Sequence, residues 1–309
     1  MIALLAPGQG AQTPGMLTPW LEQPGALDRV ARWSKVTGLD LVRLGTTAGA
    51  EEITDTAVTQ PLVVATALLA FEELEQTGAT EDPAFAKLTA GHSVGELAAA
   101  AIAGVISTDD AVDLAALRGR AMAQACALEP TGMTAVLGGV EEDVLARLGE
   151  LGLEAANRNA KGQLVAAGKL SALAELAEAP PARAKLRPLA VAGAFHTRFM
   201  APARDAVAEA AASIPTNDPV RVLLSNADGT SVTTGRGALD AIVEQITRPV
   251  RWDLCTATMI ELSVAGLAEL PPAGTLTGIA KREMRGVPQT ALKTPGELTS
   301  VGMLAQQAA

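Results

Sequence analysis

The sequence predicts an α/β fold in which a large part with a mostly parallel sheet carries a smaller inserted unit. Three observations support this prediction. In the first 129 residues, short apolar runs alternate with helical patterns, which is typical of a parallel sheet covered by helices. Strand-like segments become more frequent after Pro130, and the α/β alternation returns near residue 193. Hydrophobic residues make up 49% of the 309 residues, enough to build a sizeable core.

The first part contains two strand patterns and three helical patterns. Pro61 near the start of one helix and Gly78 after its end suit helix capping, and Ser107 is a good N-cap for another. The elements predicted here are strands over residues 2–6 and 85–90 and helices over residues 58–76, 96–103 and 107 to about 128.

The middle part has the order β-α-β-β-α-β, which is the split βαβ or ferredoxin-like arrangement. Its predicted strands cover residues 133–140, 153–157, 163–167 and 187–192, and its helices cover residues 141–151 and 171–179. We therefore expect a small ferredoxin-like subdomain over residues 130–192, inserted into a large subdomain made of residues 1–129 and 193–309. About sixty residues is a usual size for a small domain.

The last part returns to α/β alternation. Helices are predicted up to about residue 213 and over residues 239–247 and 253–262, with strands over residues 220–225, 265–270 and 275–279. From about Ser300 the pattern is weak, and a frayed tail is expected.

Composition excludes several classes of protein. A formal net charge of −10 disfavours binding to nucleic acid or to an anionic membrane surface. The apolar runs at residues 62–71 and 97–106 are about half the length of a membrane span. The two cysteines, Cys126 and Cys255, cannot form a disulfide framework or a metal site alone, so we expect small core residues and no metal. Together these features predict a soluble cytoplasmic protein.

One segment departs from the acidic average. Between residues 155 and 205, eight basic side chains accompany three acidic ones, a local charge of about +5. This segment is either a solvated face or a docking surface for an acidic partner, and the sequence leaves both interpretations open.

The sequence from Gly91 to Gly95, GHSVG, is a G-x-S-x-G motif between a predicted strand and a predicted helix. Such a motif can place a serine in a strained turn that exposes its hydroxyl at a helix N-terminus, where free N–H groups favour a developing negative charge. Ser93 is therefore a candidate nucleophile.

A serine nucleophile needs a general base, and the chain has two histidines. His92 is adjacent to Ser93 on the turn, so its side chain should point away from the serine hydroxyl. His196 is then the candidate base, although a lone histidine can also be structural. Ser93 precedes the predicted insert and His196 follows it, which predicts a site in the cleft between the two bodies.

Arg118 lies in the middle of an apolar stripe on the helix that Ser107 opens. A guanidinium there must reach water or find an anionic partner, because an unpaired buried charge is costly. The partner could be a protein carboxylate in a salt bridge or the carboxylate of a substrate held by two parallel hydrogen bonds.

The loop after the first strand, GQGAQ at residues 8–12, lacks the spacing of a dinucleotide site. A glycine-flanked loop at the end of a strand can instead aim a backbone N–H at an oxyanion, although such loops are often simple turns.

Together these motifs resemble the malonyl-CoA:acyl carrier protein transacylase family over nearly the whole chain. The matching segments are residues 7–12 (PGQGAQ), 59–61 (TQP), 91–96 (GHSVGE), 118–122 (RGRAM), 156–159 (ANRN), 193–197 (GAFHT), 245–252 (QITRPVRW) and 274–278 (GTLTG).

The resemblance implies an acyltransferase that takes malonyl from malonyl-CoA onto Ser93 and passes it to acyl carrier protein for fatty acid or polyketide synthesis. His196 would be the general base and later the acid, and Arg118 would hold the malonyl carboxylate. The backbone N–H groups of Gln9 and Val94 would form the oxyanion hole.

The resemblance also implies a hydrolase-like large subdomain, no cofactor and several supporting residues. A backbone carbonyl, usually that of the residue matching Gln245, would orient the histidine in place of a third acid. Asn157 and His92 would support the site, and Phe195 would fill the space that an α-methyl group needs, which favours malonyl over methylmalonyl.

Two other functions compete with this interpretation. A serine hydrolase would use the same turn but pass the acyl group to water, usually with an acid between the serine and the histidine in sequence, and no residue between Ser93 and His196 stands out for that role. A silent scaffold that docks a carrier protein would explain the basic segment but not Ser93, His196 and Arg118 together.

Overall fold

The computed structural model describes residues 1–78, 85 and 87–308, with side chains described up to residue 304. The strands in these ranges are β1 (Ile2–Ala6), β2 (Leu88–Gly91), β3 (Thr131–Gly138), β4 (Glu154–Ala160), β5 (Gln163–Lys169), β6 (Ala184–Pro188), β7 (Val222–Leu224), β8 (Ser231–Val232), β9 (Val250–Arg251), β10 (Gly266–Glu269) and β11 (Gln289–Ala291). The helices are α1 (Thr18–Leu21), α2 (Ala26–Thr37), α3 (Leu41–Thr46), α4 (Ala50–Thr54), α5 (Thr56–Gln76), α6 (Gly95–Ile102), α7 (Thr108–Cys126), α8 (Glu141–Glu150), α9 (Leu170–Glu178), α10 (Ala201–Ala212), α11 (Gly235–Glu244), α12 (Trp252–Glu261), α13 (Thr275–Glu283) and α14 (Leu298–Ala308).

The larger sheet has the strand order β11-β10-β1-β2-β7-β8 and is parallel except at the β7–β8 pair. β1 and β2 are buried along their whole length, as expected for central parallel strands. Their register pairs Ala6 with Gly91, so both strands end at the same edge of the sheet. The loop after β1 and the turn after β2 therefore lie next to each other.

The smaller sheet has the order β6-β3-β5-β4-β9. The pairs β3–β5, β3–β6 and β4–β5 are antiparallel, and the elements from β3 to β6 follow the predicted order β-α-β-β-α-β. The parallel partner of β4 is β9, a two-residue strand that the sequence analysis missed and that lies outside residues 130–192. This sheet therefore includes a contribution from the later part of the chain.

Several predicted boundaries are shifted by a few residues. The strand predicted over residues 85–90 is β2, at residues 88–91, and residue 86 lies outside the described residues. The last strand of the insert, predicted over residues 187–192, is β6, which begins and ends earlier, at residues 184–188.

Two predictions near the C-terminus are wrong. The segment predicted as a strand over residues 275–279 begins helix α13. Its first turn is capped by the buried carboxylate of Glu269, which accepts hydrogen bonds from the N–H groups of Gly274, Leu276 and Thr277. The tail expected to fray from Ser300 belongs to helix α14, which follows a capping box between Thr294 and Glu297.

Helix α5 is by length and composition able to cross a membrane, unlike the shorter runs considered in the sequence. However, 83% of its apolar window is buried inside the protein. It packs against α6 and α7, so it is a core helix here. A Cβ at Gly119 in α7 would lie 2.7 Å from the carbonyl oxygen of Thr56 in α5, so the two helices approach backbone to backbone.

Candidate active site

Ser93 lies in the turn between β2 and α6 with a backbone φ of +55°, a conformation that a serine adopts at a cost. The flanking glycines explain why the chain can turn here. A Cβ at Gly91 would lie 2.0 Å from the carbonyl carbon of Gly95, and a Cβ at Gly95 would lie 2.3 Å from the carbonyl oxygen of Ala6. The motif therefore brings the turn into direct contact with the end of β1.

The structure brings Ser93 and His196 together, although 103 residues separate them. The Ser93 Oγ lies 2.7 Å from Nε2 of His196, and the opposite ring nitrogen, Nδ1, lies 2.8 Å from the carbonyl oxygen of Gln245. Because a carbonyl oxygen can accept only, Nδ1 carries the proton and donates it to Gln245. Nε2 is then the free acceptor for the Ser93 hydroxyl.

The surroundings of His196 favour the neutral ring. The residue is 3% exposed, and burial together with the positive charge of Arg118 lowers its pKa to about 3. Its backbone also has a positive φ, +60°. A neutral imidazole facing a serine hydroxyl can take up the hydroxyl proton, so the pair has the arrangement of a nucleophile and its general base.

Arg118 is 1% exposed, so the possibility that it reaches water is wrong. It donates to the side-chain oxygens of Gln60 (2.6 Å) and Gln245 (3.0 Å), and its Nη2 lies 3.5 Å from the Ser93 Oγ. In the part of the chain that the structure describes, no carboxylate forms an ion pair with it. Burial lowers its pKa to about 10, with the carboxyl of Glu96 opposing the shift, so the guanidinium remains charged at neutral pH.

Gln9 and Val94 lie on the two adjacent loops at the sheet edge. A Cβ at Gly8 would lie 2.8 Å from the carbonyl oxygen of His92, so the loop after β1 touches the serine turn directly. Among the described residues, no acceptor takes the backbone N–H of Gln9 or of Val94. Two free donors beside a nucleophile are the arrangement that an oxyanion requires.

A cavity of about 530 Å³ opens over Ser93 and His196. Its walls include the loops after β1 and β2, strands of the smaller sheet and the start of α13. Asn157 (6% exposed) and Phe195 (4% exposed) line it, as does His92, whose Nε2 donates to the Oδ1 of Asn159 at 2.9 Å. The His92 ring thus points toward Asn159 and Trp252, whose ring centroid is 5.6 Å away, and does not bond to the Ser93 hydroxyl.

Three residues of the site were not recognised as functional from the sequence: Gln60, Glu96 and Asn226. Gln60 contacts Arg118, Asn226 accepts the backbone N–H of Ser93, and Glu96 accepts the backbone N–H of Asn226. Asn226 comes directly after the strand predicted over residues 220–225, which was an available signal. It could not be used because the sequence did not show that this strand, β7, lies beside β2.

The described residues contain no group of three or more His, Cys, Asp or Glu side chains placed to hold a metal ion. Cys126 and Cys255 are both free, and Cys255 is fully buried.

Residues 4–303 match the acyl transferase domain family. The malonyl CoA-acyl carrier protein transacylase of Mycobacterium tuberculosis (strain ATCC 25618 / H37Rv) is 62% identical over 304 residues, which cover 98% of this chain and 100% of that protein. The protein of the same name from Escherichia coli (strain K12) is 34% identical over 306 residues, covering 96% of this chain and 97% of that protein.

Solved structures agree with the sequence relatives and with the mixed α/β fold. The crystal structure of MCAT from Mycobacterium tuberculosis superposes with a TM-score of 0.95 at 62% identity, covering 97% of this chain and 99% of that one. A malonyl-transacylase in complex with a type II PKS acyl-carrier protein gives a TM-score of 0.91 at 30% identity, covering 98% and 99%. These matches extend over almost the whole chain, so they confirm the resemblance seen in the motifs. The chain belongs to the acyl transferase domain family and, within it, to the malonyl CoA-acyl carrier protein transacylases, which are acyltransferase enzymes.

Proposed function

We propose that this enzyme transfers the malonyl group of malonyl-CoA to the phosphopantetheine thiol of acyl carrier protein through a malonyl ester on Ser93. The observation that carries the proposal is a buried arginine 3.5 Å from a serine hydroxyl that is itself bonded to a neutral histidine. A nucleophile beside a fixed positive charge suits an acyl group that ends in a carboxylate.

In the first half-reaction, Nε2 of His196 accepts the proton of the Ser93 hydroxyl as Oγ attacks the thioester carbonyl carbon. The negative charge that develops on the carbonyl oxygen is stabilised by the N–H groups of Gln9 and Val94. The tetrahedral intermediate then collapses, the carbon–sulfur bond breaks, and His196 gives its proton to the departing CoA sulfur.

The second half-reaction runs the same steps with the carrier protein. His196 takes the proton of the phosphopantetheine thiol, the sulfur attacks the ester carbonyl, and the Ser93 oxygen leaves with the proton from His196. The carbonyl oxygen of Gln245 keeps the imidazole in one orientation for both transfers.

Arg118 selects the substrate by its charge, because its guanidinium can bind the malonyl carboxylate through two parallel hydrogen bonds. Phe195 lines the cavity next in sequence to His196, and we infer that its ring fills the space that a methyl branch on the acyl group would need. Asn157 and His92 shape the remaining polar wall of the cavity.

The proposed docking surface for the acidic carrier protein is the exposed edge of β6. Four of the eight basic residues between 155 and 205 are paired with carboxylates, namely Arg158 with Glu141, Lys169 with Glu129, Arg198 with Glu154 and Arg204 with Asp205. Arg183, Lys185 and Arg187 are exposed and have no ion pair within the described ranges. Their charge is free to attract an acidic partner.

We further infer a two-subdomain architecture for this enzyme. The larger, mostly parallel sheet belongs to a hydrolase-like subdomain of residues 1–129 and 193–309, and the smaller sheet to a ferredoxin-like subdomain of residues 130–192 joined by β9. Both bodies contribute walls to the cavity, which supports this division. The working location of the enzyme is the cytoplasm, where its CoA and carrier-protein substrates occur together.

The first experiment is to mix the protein briefly with malonyl-CoA, acetyl-CoA or methylmalonyl-CoA and to measure its intact mass. We expect a malonyl adduct with the native protein, a weak one with the other two, and none with Ser93→Ala. Release of CoA without an adduct would mean that water takes the acyl group, as in a hydrolase. If neither an adduct nor free CoA formed, the alternative of a silent scaffold that docks a carrier protein would be favoured. An adduct that survives in Ser93→Ala would remove Ser93 from its role.

A further inference from the structure

Asn226 and Glu96 belong to a buried polar network that bonds to the backbone of the serine turn and not to the Ser93 hydroxyl. The side-chain Oδ1 of Asn226 accepts the backbone N–H of Ser93 at 2.8 Å, and its Nδ2 donates to the carbonyl oxygen of Gly91 at 2.7 Å. One amide group thus joins both sides of the strained turn. Asn226 is 0% exposed, so these bonds do not compete with water.

Glu96 bonds to the main chain of Asn226 and so restrains the residue that carries this amide. Its Oε1 accepts the backbone N–H of Asn226 at 2.6 Å, and its Oε2 accepts from Nε2 of Gln245. Because Glu96 lies in the first turn of α6, three residues after Ser93, the helix that begins at the turn also carries the group that secures its support. Glu96 is 3% exposed.

Gln245 extends the network to the other reacting groups. The two hydrogens of its Nε2 are shared among Glu96 Oε2, the backbone oxygen of Ser93 (3.1 Å) and Oδ1 of Asn226 (3.1 Å), while its Oε1 accepts from Arg118. The main-chain oxygen of the same residue orients His196. A shift of Asn226 or Glu96 would therefore displace the nucleophile and its base together, whereas Arg118 keeps its second partner, Gln60.

We propose that Asn226 and Glu96 are positioning residues that lock the Ser93 turn and Gln245 into the geometry needed for acylation. The inference rests on the proposed function and assigns roles to two residues beyond those that act on the substrate. A strained backbone persists only where its surroundings over-determine it, and here two buried polar side chains supply that constraint.

Rapid-quench measurement of a single round of Ser93 acylation by malonyl-CoA tests the proposal in Asn226→Ala, Asn226→Asp and Glu96→Gln. Asn226→Ala removes both bonds to the turn, and we expect the acylation rate constant to fall on the order of 10²-fold. Asn226→Asp keeps the Oδ1 acceptor and loses the donor to Gly91, so a smaller fall is expected. Glu96→Gln replaces one carboxyl oxygen by an NH2 group, which cannot accept a hydrogen bond from Gln245 or Asn226 as either oxygen of the carboxyl can, and about a tenfold fall is expected.

The amplitude of acylation separates positioning from stability. A variant that merely folds less well would lose reactive molecules while those that remain react at the native rate. A reduced amplitude with an unchanged rate constant would therefore overturn the proposal. We expect a full amplitude, a reduced rate constant and a half-saturating malonyl-CoA concentration within about threefold of native, because Gln60 still holds Arg118.

Two controls keep the test independent of the malonyl reaction and of folding. Labelling of Ser93 by phenylmethylsulfonyl fluoride needs no carboxylate or carrier protein, so its rate should fall in the same order of variants even if the native acyl donor is not malonyl-CoA. Glu73→Gln changes another buried acidic side chain, which is paired with Arg29. Glu73 lies thirteen residues after Gln60 on helix α5, so about 20 Å of helix separates it from the site. It should leave the labelling rate native, and an equal loss in Glu73→Gln and Glu96→Gln would also overturn the proposal.

Discussion

Arg118 holds a positive charge where almost no water reaches it. Its partners are the neutral amide oxygens of Gln60 and Gln245, which satisfy hydrogen bonds without cancelling the charge. The Nε of Arg118 has no hydrogen-bond partner among the described residues. A guanidinium whose amide hydrogen-bond partners are neutral is poorly compensated, and a carboxylate brought to Ser93 would gain strongly from it.

We therefore predict that Arg118→Ala lowers kcat/KM for malonyl-CoA by about 10²-fold or more while acetyl loading is kept or improved. Loading of Ser93 from the two donors, followed by intact mass, measures the ratio. Arg120→Ala is the matched control, because Arg120 lies on the same helix, is exposed and bonds to the Thr37 carbonyl on the opposite side. Equal losses for malonyl and acetyl would make Arg118 a structural residue.

Glu96 links the site to the pH dependence of stability. Burial raises the pKa of its carboxyl to about 8, against an ordinary value of 4.5. Between these two values the folded protein holds a proton that the unfolded chain has released, so the free energy of unfolding must fall as the pH rises through this window.

We predict that Glu96→Gln flattens this dependence between about pH 4.5 and pH 8, where one group can contribute at most about 1.4 kcal/mol per pH unit. Urea unfolding at a series of pH values measures the difference between the native protein and the variant. If the two proteins showed parallel curves over this range, the carboxyl of Glu96 would have to be ionised in the folded state.

At the scale of elements, the end of β1 and the start of α6 are in backbone contact because residue 95 is a glycine. The Cβ-free Gly95 lets the turn after β2 lie against the backbone of Ala6 and Pro7, where a Cβ would come within 2.3 Å and 2.7 Å of their carbonyl oxygens. Because both atoms are backbone, neither can move aside cheaply. This contact places the N–H of Val94 beside the loop that carries Gln9.

Gly95→Ala should therefore destabilise the protein by about 1–3 kcal/mol and slow the acylation of Ser93, because β1 and α6 must separate. Thermal unfolding and burst kinetics measure the two effects. Gly149→Ala in α8 is the control, since a Cβ there meets nothing within 4 Å and alanine is the better helix former. A melting temperature for Gly95→Ala as high as that of Gly149→Ala would show that the turn can relax.

At the scale of the whole molecule, the loops at the edge of the larger sheet and the strands of the smaller sheet line one cavity at Ser93 and His196. The turn with Ser93 belongs to the larger sheet, whereas Asn157 on β4 and Met133 on β3 line the same cavity from the smaller one. β9 pairs with β4 and is followed at once by α12, whose Trp252 packs near His92. The smaller sheet is therefore connected to the rest of the protein through β9 near the site, in addition to the two points where the chain enters and leaves residues 130–192.

The exposed edge of β6 gives a prediction at this scale. Charge reversal of Arg183, Lys185 and Arg187 should lower kcat/KM for the carrier protein, on the order of tenfold at low salt, while loading from malonyl-CoA stays native. Lys185→Glu and Lys35→Glu form a matched pair, because Lys35 is an exposed lysine on α2, away from this edge. High salt should remove the difference. Equal transfer rates for the two variants at low salt would dismiss the docking surface.

Much of this architecture could be predicted because it depends on local signals. The apolar alternation, the caps at Ser107 and Gly78, and the change of rhythm after Pro130 indicated most of the elements. The errors lie where distant groups decide local structure. Residues 275–279 are apolar enough for a strand, but the carboxylate of Glu269 caps them as a helix. The strand β9 exists because β4 offers it a free edge.

The sequence by itself determined the class of fold, the serine turn and the identity of the candidate base, because glycine spacing and a count of two histidines restrict these choices strongly. It also placed Arg118 on an apolar stripe, but left open whether the guanidinium reaches water or which group is its partner. The tertiary structure alone decided that Arg118 lies between two neutral amides and that Glu96 and Asn226 form hydrogen bonds behind the turn, whereas the carbonyl of Gln245 beside His196 was already implied by the family resemblance. These bonds join residues up to 152 positions apart, and no local pattern encodes them because they depend on which strands lie side by side.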